Sequence, residues 1–482
     1  MRALLTRCHP AHLFLGIVLL TAFVTYSYYR QRYVGAADLY GYYQQGEMLR
    51  QGRLALPLEL PVDKFPSVVP YGYVDVGDRA LPQYPPGFPL LIALAGIFNL
   101  QYFVTPVIGF LGGVLVYLIL RGSVSRWTAA VFTLLWAFFP IVAYSSSILM
   151  SDMVSAVGLL AAWWLYRRGN LMLSAFALGF SFCVRPTNVL FLIAMVLPLW
   201  RDRRMLRYSL WLVLPCALYG LYNHALFGAP WRTGYVGVGQ EFRTEFFAGQ
   251  FAFYARETIR QLGWPLAALT VLGLTVPHRD RWFHVLWFVP FLGLYCVWSA
   301  GGDRWWWTRF LLPAYAALFF LAAQGFERLK AWMQNRMSVT HWRPAVGALL
   351  LGALACTTFY HIRLARREQD VWVQYKGWEY CYAVNQVAAV AAPGSYVGSL
   401  EFAGAQLLYT DLHSFITVYD DAVPLVREVM QRGREVYLLI EPWRQDNNII
   451  RALLAEYPHE RLPDIGIWDG VQVYRLRPPP AT

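Results

Sequence analysis

Eleven apolar runs dominate the first 360 residues of this chain, at 12–29, 102–120, 127–147, 153–166, 171–184, 188–200, 208–226, 264–277, 283–299, 310–325 and 345–360. A membrane-crossing helix needs ~20 such residues and tolerates ~17. The longer runs meet that length, and the shorter ones must borrow from their flanks or form thin, broken helices. Composition points the same way. The chain is 57% hydrophobic and 15% charged, whereas soluble domains carry roughly 25% charged residues. Its 20 Trp and 31 Tyr suit a protein with many helix ends at the lipid–water boundary, where amphipathic rings concentrate. The expectation is a polytopic α-helical membrane protein with about 11 transmembrane helices. The first run follows Arg2 and Arg7, but its apolar stretch exceeds the ~7–15 residues of a signal-peptide core. It reads as an uncleaved anchor.

Charge sets the expected topology. A further apolar piece, 87–100, is shorter than a span and opens with "YPPGFP". If it does not cross, the loops 121–126, 167–170, 201–207, 278–281 and 326–343 share one side with the N-terminus. Sixteen cations then face only Asp202, Asp280 and Glu327 on that side. Cytoplasmic loops attract such an excess, so 87–100 is read as non-crossing or re-entrant. The N-terminus is then cytoplasmic. This excess accounts for the whole net charge of +12, and no basic run interleaved with aromatics is left over for nucleic acid. The six Cys have no CxxC spacing and mostly lie in apolar runs, which reads as packing.

The external side then holds loop 30–101, a short loop at 145–152, loop 227–263 and the tail. The expected domains are a membrane domain, 1–360, carrying loops 30–101 and 227–263, and a soluble α/β domain, 361–482. In the tail "SYVGSL", "SFITVY", "EVYLLIE" and "VQVYRLR" read as strands by their β-branched and aromatic content. "AVPLVREVMQRG" and "NNIIRALLAEY" carry helical spacing. Asp420 and Asp421 read as a helix start. The tail either covers the site and positions an acceptor or is simple structural packing.

Charge at a membrane boundary is costly and tends to be functional. Asp38, Asp152, Arg185, Arg304 and Arg309 stand on the external side. Asp38 opens "LYGYYQQGEMLRQG" and reads either as an N-cap or as a base kept ionised by the helix N-terminus. Asp152, in "ILMSDMVSA", is a cap for the span from Met153 or a site acid. Arg185, in "FCVRPTNVLF", either snorkels or binds phosphate through its fork of donors, with Thr187 and Asn188 available to cap the next helix. Arg304 and Arg309 repeat that chemistry in "GGDRWWWTRFLLP", beside three Trp that anchor the interface or seat a lipid phosphate. His224 reads as packing. No HExxH, GxSxG or Walker loop is present.

In order and spacing, these pieces resemble the GT-C superfamily of polytopic glycosyltransferases, most closely its protein-mannosyltransferase-like and aminoarabinose-transferase-like bacterial members. The likeness covers residues 1 to about 325. It rests on Asp38 with "YYQQGEMLRQGRL", on "QYPPGFPLL", on Asp152 in "LMSDM", on "VRPTN", on "YNHALFGAPWRTGY" and on "RFLLP". The resemblance implies an inverting transfer of a sugar from a polyprenyl-phosphate carrier to an acceptor hydroxyl, at the periplasmic face of a bacterial inner membrane. By it, Asp38 is catalytic, Arg185, Arg309 and Arg304 meet the donor phosphate or lipid, and Asp152 is the second-loop acid. Tyr42, Tyr84 and Tyr235 are sugar or acceptor contacts. Many members carry two adjacent acids at the first position, or DxD, where this chain has Ala37–Asp38–Leu39. Metal dependence is therefore unassigned, and no cofactor is implied beyond the lipid-linked donor.

The chemistry accommodates a single carboxylate. A sugar on phosphate already has a stabilised leaving group, unlike a glycoside that needs an acid and a base. What remains is a base for the acceptor hydroxyl and positive charge for the departing phosphate. The acceptor, whether glycan, lipid or protein, is left open. The competing readings are a lipid-linked glycan transporter or flippase, a polymerase or ligase of such glycans, and an inactive scaffold. A transporter predicts mid-span charges and internal repeats, and neither is visible.

Overall fold

The structure is a computed structural model and describes residues 9–235, 237–299, 301–367, 377–462 and 471–479. Arg2, Arg7 and Cys8 lie outside the described residues. The chain divides into two compact units. One comprises Met1–Arg30, Phe103–Tyr219 and Gly237–Val373, the other Gln31–Tyr102, Gly220–Val236 and Gln374–Thr482.

Every apolar run of the sequence is helical. Among the described residues, five helices are long and apolar enough to cross a membrane: Pro10–Tyr28, Gln101–Leu120, Met205–Phe227, Trp305–Arg336 and Val339–Tyr360. Pro10–Tyr28 begins with Pro at its first position, where a missing N–H costs nothing, and His9 caps the Ala11 amide. Its buried residues are Ala11, Val18, Leu19, Ala22 and Tyr26. Leu13, Ile17, Leu20 and Val24 form an exposed stripe at helical spacing. Such a stripe has no place in water and suits lipid.

The other runs form shorter helices: Ser151–Arg167, Leu171–Val184, Phe191–Arg201 and Arg281–Cys296. The run at 127–147 is broken into Arg126–Ala137 and Pro140–Ser145, because the residue before Pro140 is held extended. The run at 264–277 is the second half of Phe247–Thr275, beyond a break at Gly263 (φ 69°). This helix crosses Leu312–Arg336 closely. A Cβ on Gly273 would lie 2.0 Å from the Leu321 carbonyl oxygen, and one on Gly325 2.1 Å from that of Leu269. Small residues thus let the two backbones touch, as in membrane helix pairs.

In the second unit, the helix Ala37–Arg50 is followed by a hairpin of β1 (Tyr73–Val76) and β2 (Arg79–Pro82). The apolar piece at 87–100 contains the helix Gly87–Gly96, about 15 Å long and half a bilayer core. The tail forms a five-stranded sheet from β3 (Tyr396–Ser399), β4 (His413–Ile416), β5 (Val436–Ile440), β6 (His459–Arg461) and β7 (Gln472–Leu476). Their order is β4-β3-β5-β7-β6, with β3 parallel to β4 and β5, and β7 antiparallel to β5 and β6. Loop and tail share one hydrophobic core. Tyr40, Met48, Leu60 and Phe65 pack with Leu425, Val429, Val436 and Ile450. Asp421 precedes the helix Ala422–Gln431 without capping it; its carboxylate accepts the Ser67 amide at 2.9 Å.

Candidate active site

The residues singled out by sequence fall into two polar clusters, one in each unit. The first is built around Asp38. Ala36 has φ 57°, a left-handed conformation uncommon for a residue with a Cβ. The chain is held in this bend: a Cβ on Gly35 would sit 2.5 Å from the Tyr380 ring, and the Tyr380 hydroxyl donates to Glu401. The helix then starts at Ala37, so Asp38 is in its first turn and is not the N-cap, which is Ala36 and makes no side-chain bond. The carboxylate is half-buried, and the Tyr84 hydroxyl donates to Asp38 Oδ1 at 2.6 Å.

That hydrogen bond depends on glycine. Gly41 lies one turn beyond Asp38, and a Cβ there would come within 2.3 Å of the Tyr84 ring. Gln45, another turn on, donates to the Tyr84 carbonyl at 3.1 Å and to the Tyr222 hydroxyl at 3.0 Å. Tyr42 and Tyr84 have ring centroids 4.3 Å apart, and Tyr84 and Tyr235 6.3 Å. Tyr235 reaches this position because Gly234 touches the backbone of Gln83, where a Cβ would meet it at 2.5 Å. Burial, and then the charge of Asp38, push the Tyr84 phenol well above its ordinary range. It therefore remains a donor at any physiological pH.

The second cluster surrounds Arg185. The helix Leu171–Val184 ends at this residue, and Pro186 starts a 3₁₀ turn, Pro186–Leu190. Thr187 and Asn188 do not cap the following helix. Asn188 is fully buried and donates to Ser155 and Ser181, while Thr187 shares a hydrogen bond with the Tyr295 hydroxyl. The turn is thereby fixed. Arg185 Nη2 lies 2.9 Å from Asp152 Oδ1, and its Nε donates to Ser151 at 3.2 Å. Asp152 is 1% exposed. It stands in the first turn of Ser151–Arg167, whose N-cap is Met150, so here too the acid is not the cap.

Arg309 is also buried, with its guanidinium over Trp306 at 5.0 Å, Trp307 at 5.6 Å and Phe310 at 4.9 Å. Arg185 lies 4.9 Å from the same Phe310 ring. Two guanidinium groups therefore share one aromatic ring, and Arg185 is paired with Asp152. Arg304 is exposed and stands apart from this arrangement. Among the described residues no group of three metal-ligating side chains gathers. Asp38 and Asp152 belong to different units.

No protein-family model matches the chain, and no curated protein matches its sequence. Solved structures do match. One is the crystal structure of ArnT from Cupriavidus metallidurans bound to undecaprenyl phosphate, at 13% identity and a TM-score of 0.63, covering 96% of this chain and 97% of that one. Another is the arabinofuranosyltransferase AftD from Mycobacteria, seen by cryo-electron microscopy, at 12% identity and a TM-score of 0.54, covering 96% of this chain and 41% of that one. The chain has the GT-C fold.

Within that fold, several residues escape a reading by motif. Gly41 and Gly234 are needed for what they lack, and their signal is position: one turn after a candidate acid, and directly before a candidate tyrosine. Ser151 and Asn188 hold the Asp152–Arg185 pair, and Phe310 carries both cations. Each sits beside a residue already singled out. Glu257 gave no such signal. It is a buried acid in "ARETIRQ" that meets Arg260 at 2.6 Å and accepts from the Tyr360 hydroxyl at 3.0 Å.

Proposed function

We propose that the chain is an inverting glycosyltransferase that moves a sugar from a polyprenyl-phosphate carrier to an acceptor hydroxyl. The observation that carries this reading is the half-buried Asp38 carboxylate, oriented by the buried Tyr84 phenol, whose ring neighbours those of Tyr42 and Tyr235, in a GT-C fold. Asp38 is the base that takes the acceptor proton; a positioned base contributes ~10²–10⁴ in rate. Tyr235, the half-buried ring of the three, offers a face to a sugar. Tyr84, held protonated, fixes the carboxylate without competing for the proton.

The phosphate that leaves carries growing negative charge, and Arg185 and Arg309 are the groups to receive it. Arg309 is buried and Arg185 is mostly so, and their fork-like donors match phosphate oxygens. Asp152 orients Arg185 and offsets part of its charge. Attack from the side opposite the phosphate inverts the anomeric carbon. The ArnT structure bound to undecaprenyl phosphate supports a lipid-linked donor. The excess of cations in loops 121–126, 167–170, 201–207, 278–281 and 326–343 supports a cytoplasmic N-terminus by the positive-inside rule. It supports equally a periplasmic position for Asp38 and the tail, in a bacterial inner membrane.

The test is transfer by the purified full chain in detergent, using a short-chain polyprenyl-phosphate sugar, with and without a chelator to read metal dependence. The Asp38→Asn variant is expected to fold and bind donor but to lose at least a hundredfold in turnover. Undiminished transfer by that variant would remove Asp38 from the mechanism. Donor movement across a vesicle without any sugar transfer would replace the enzyme by a flippase.

A further inference from the structure

At the far end of the Asp152 helix lies a cavity that the proposed transfer chemistry does not use. Asp152 and Arg167 are fifteen residues apart on one helix, about 22 Å at 1.5 Å per residue. The cavity has a volume of about 710 Å³. It lies where Ser151–Arg167 and Phe191–Arg201 end and Arg281–Cys296 begins. Arg167, Arg168, Arg201, Arg204 and Arg279 line it, against Asp202 and Asp280.

Both acids are engaged. Asp202 accepts from the Tyr166 hydroxyl at 2.6 Å and faces Arg279 at 3.8 Å, and Asp280 faces Arg167 at 3.8 Å. Arg168, Arg201 and Arg204 have no carboxylate within ion-pair distance among the described residues. The turn that presents the last two is sharp, with Arg203 at φ 54°. A second cavity of about 330 Å³, lined by Arg121, Gly122 and Trp164, shares Arg167 and Arg168 with the first. We propose that this basic cavity binds the phosphate headgroup of an anionic membrane lipid.

The positive-inside rule accounts for arginines in these loops but not for their convergence on a concave site. Three guanidinium groups without a carboxylate partner in one cavity repel each other, and an anion between them relieves that repulsion. Phosphate fits their donors in pairs. The walls favour a lipid over free phosphate. Trp163 stacks on Phe283 at 3.7 Å, Leu197 and Pro198 complete an apolar side, and Trp200 beside Arg201 is 74% exposed. An exposed Trp next to a basic pocket marks the headgroup level, and basic pockets between membrane helices are where lipid phosphates bind.

The experiment uses the delipidated full chain in detergent and follows its thermal midpoint on titration with three probes: dioctanoyl phosphatidylglycerol, dioctanoyl phosphatidylcholine and glycerol 3-phosphate. A saturable rise with phosphatidylglycerol alone is expected, lost in the variant combining Arg168→Gln, Arg201→Gln and Arg204→Gln. Single Arg168→Gln and Arg204→Gln proteins should each weaken the midpoint response about fivefold in lipid concentration, the equivalent of about 1 kcal/mol per cation. They keep the test decisive if the triple variant does not fold. Equal responses to the two phospholipids, or single variants titrating like the parent, overturn the site. A glycerol 3-phosphate response equal to that of phosphatidylglycerol overturns the lipid as its source.

Discussion

Asp38 and Asp152 hold the same local position, the second residue of a helix, and neither is its cap. Both profit from the helix N-terminus. They differ in what meets the carboxylate. Asp152 is 1% exposed and ion-paired with Arg185, so its charge is compensated by a permanent cation. Asp38 is half-buried, and the Tyr84 phenol donates to it. The first arrangement builds a fixed cation site. The second holds a half-exposed carboxylate in place through a hydrogen bond. Residue type and helix position are identical, so the difference comes from the surroundings of each carboxylate.

The comparison breaks most visibly in rates. Asp38→Asn should lower turnover by ~10²–10⁴ with little change in thermal midpoint. Asp152→Asn should do the reverse, lowering stability and donor affinity first. Equal turnover losses with unchanged stability in both would erase the distinction. Arg185→Ala is expected to be the most destabilising single change in that cluster, by about 3–5 kcal/mol, because it strands the buried Asp152 charge. Adding Asp152→Asn to it should recover part of that loss. A double-mutant cycle read by thermal unfolding measures the coupling, and strict additivity would show that the pair is not one unit.

Much of this was legible in the sequence, and the unreadable part has a physical cause. Apolar runs gave helices at every position, since burial in lipid imposes a length and a composition. The strands 396–399, 413–416, 436–440 and 472–476 followed from β-branched content, while the short strand His459–Arg461, exposed throughout, carries no alternating pattern. Asp38 with Tyr42, Tyr84 and Tyr235, and Arg185 with Arg309, came from motif order. The caps were misread because Asp is a favoured cap by statistics, and nothing local reveals that Tyr84 or Arg185 will claim the carboxylate instead. The core joining Tyr40 and Phe65 to Leu425 and Val436 spans over three hundred residues, and no local pattern encodes such a contact. Arg304 and Arg309 look alike in "DRWWWTRF", but only packing buries one and exposes the other.

A smaller effect separates Tyr84 as an orienting group from Tyr84 as mere packing. Tyr84→Phe deletes one hydrogen bond to a charged group, worth about 1.5–3 kcal/mol, and should cost roughly ten- to a hundredfold in turnover at nearly unchanged donor affinity. Gly41→Ala should mimic it by a different route, since the added Cβ would lie 2.3 Å from the Tyr84 ring and must displace it. Matching losses in the two variants, with no further loss when they are combined, identify one interaction. A Tyr84→Phe protein at full activity would show that Asp38 needs no orienting phenol.

Another buried carboxylate extends the comparison and has the smallest expected effect. Glu441 is fully buried, and its Oε1 accepts the amides of Leu400 and Glu401 at 3.1 and 2.9 Å. Amides stabilise the charge less than a guanidinium does, and burial wins: the Glu441 carboxyl is pushed above its ordinary range, with Glu401 adding to the shift. A carboxyl raised on folding binds more protons in the native state, so its contribution to stability is full below about pH 4.3, the unfolded value, and is lost as pH rises through the folded pKa. Glu428, Glu435 and Glu456 are lowered and contribute in the opposite sense. The test is therefore the difference between the parent and Glu441→Gln, which keeps an acceptor for both amides and removes the charge. Hydrogen exchange at Leu400 should show the variant gaining protection over the parent as pH rises from 5 to 8. A difference that stays flat over that range would mean that the two amides hold the Glu441 charge as firmly as Arg185 holds that of Asp152.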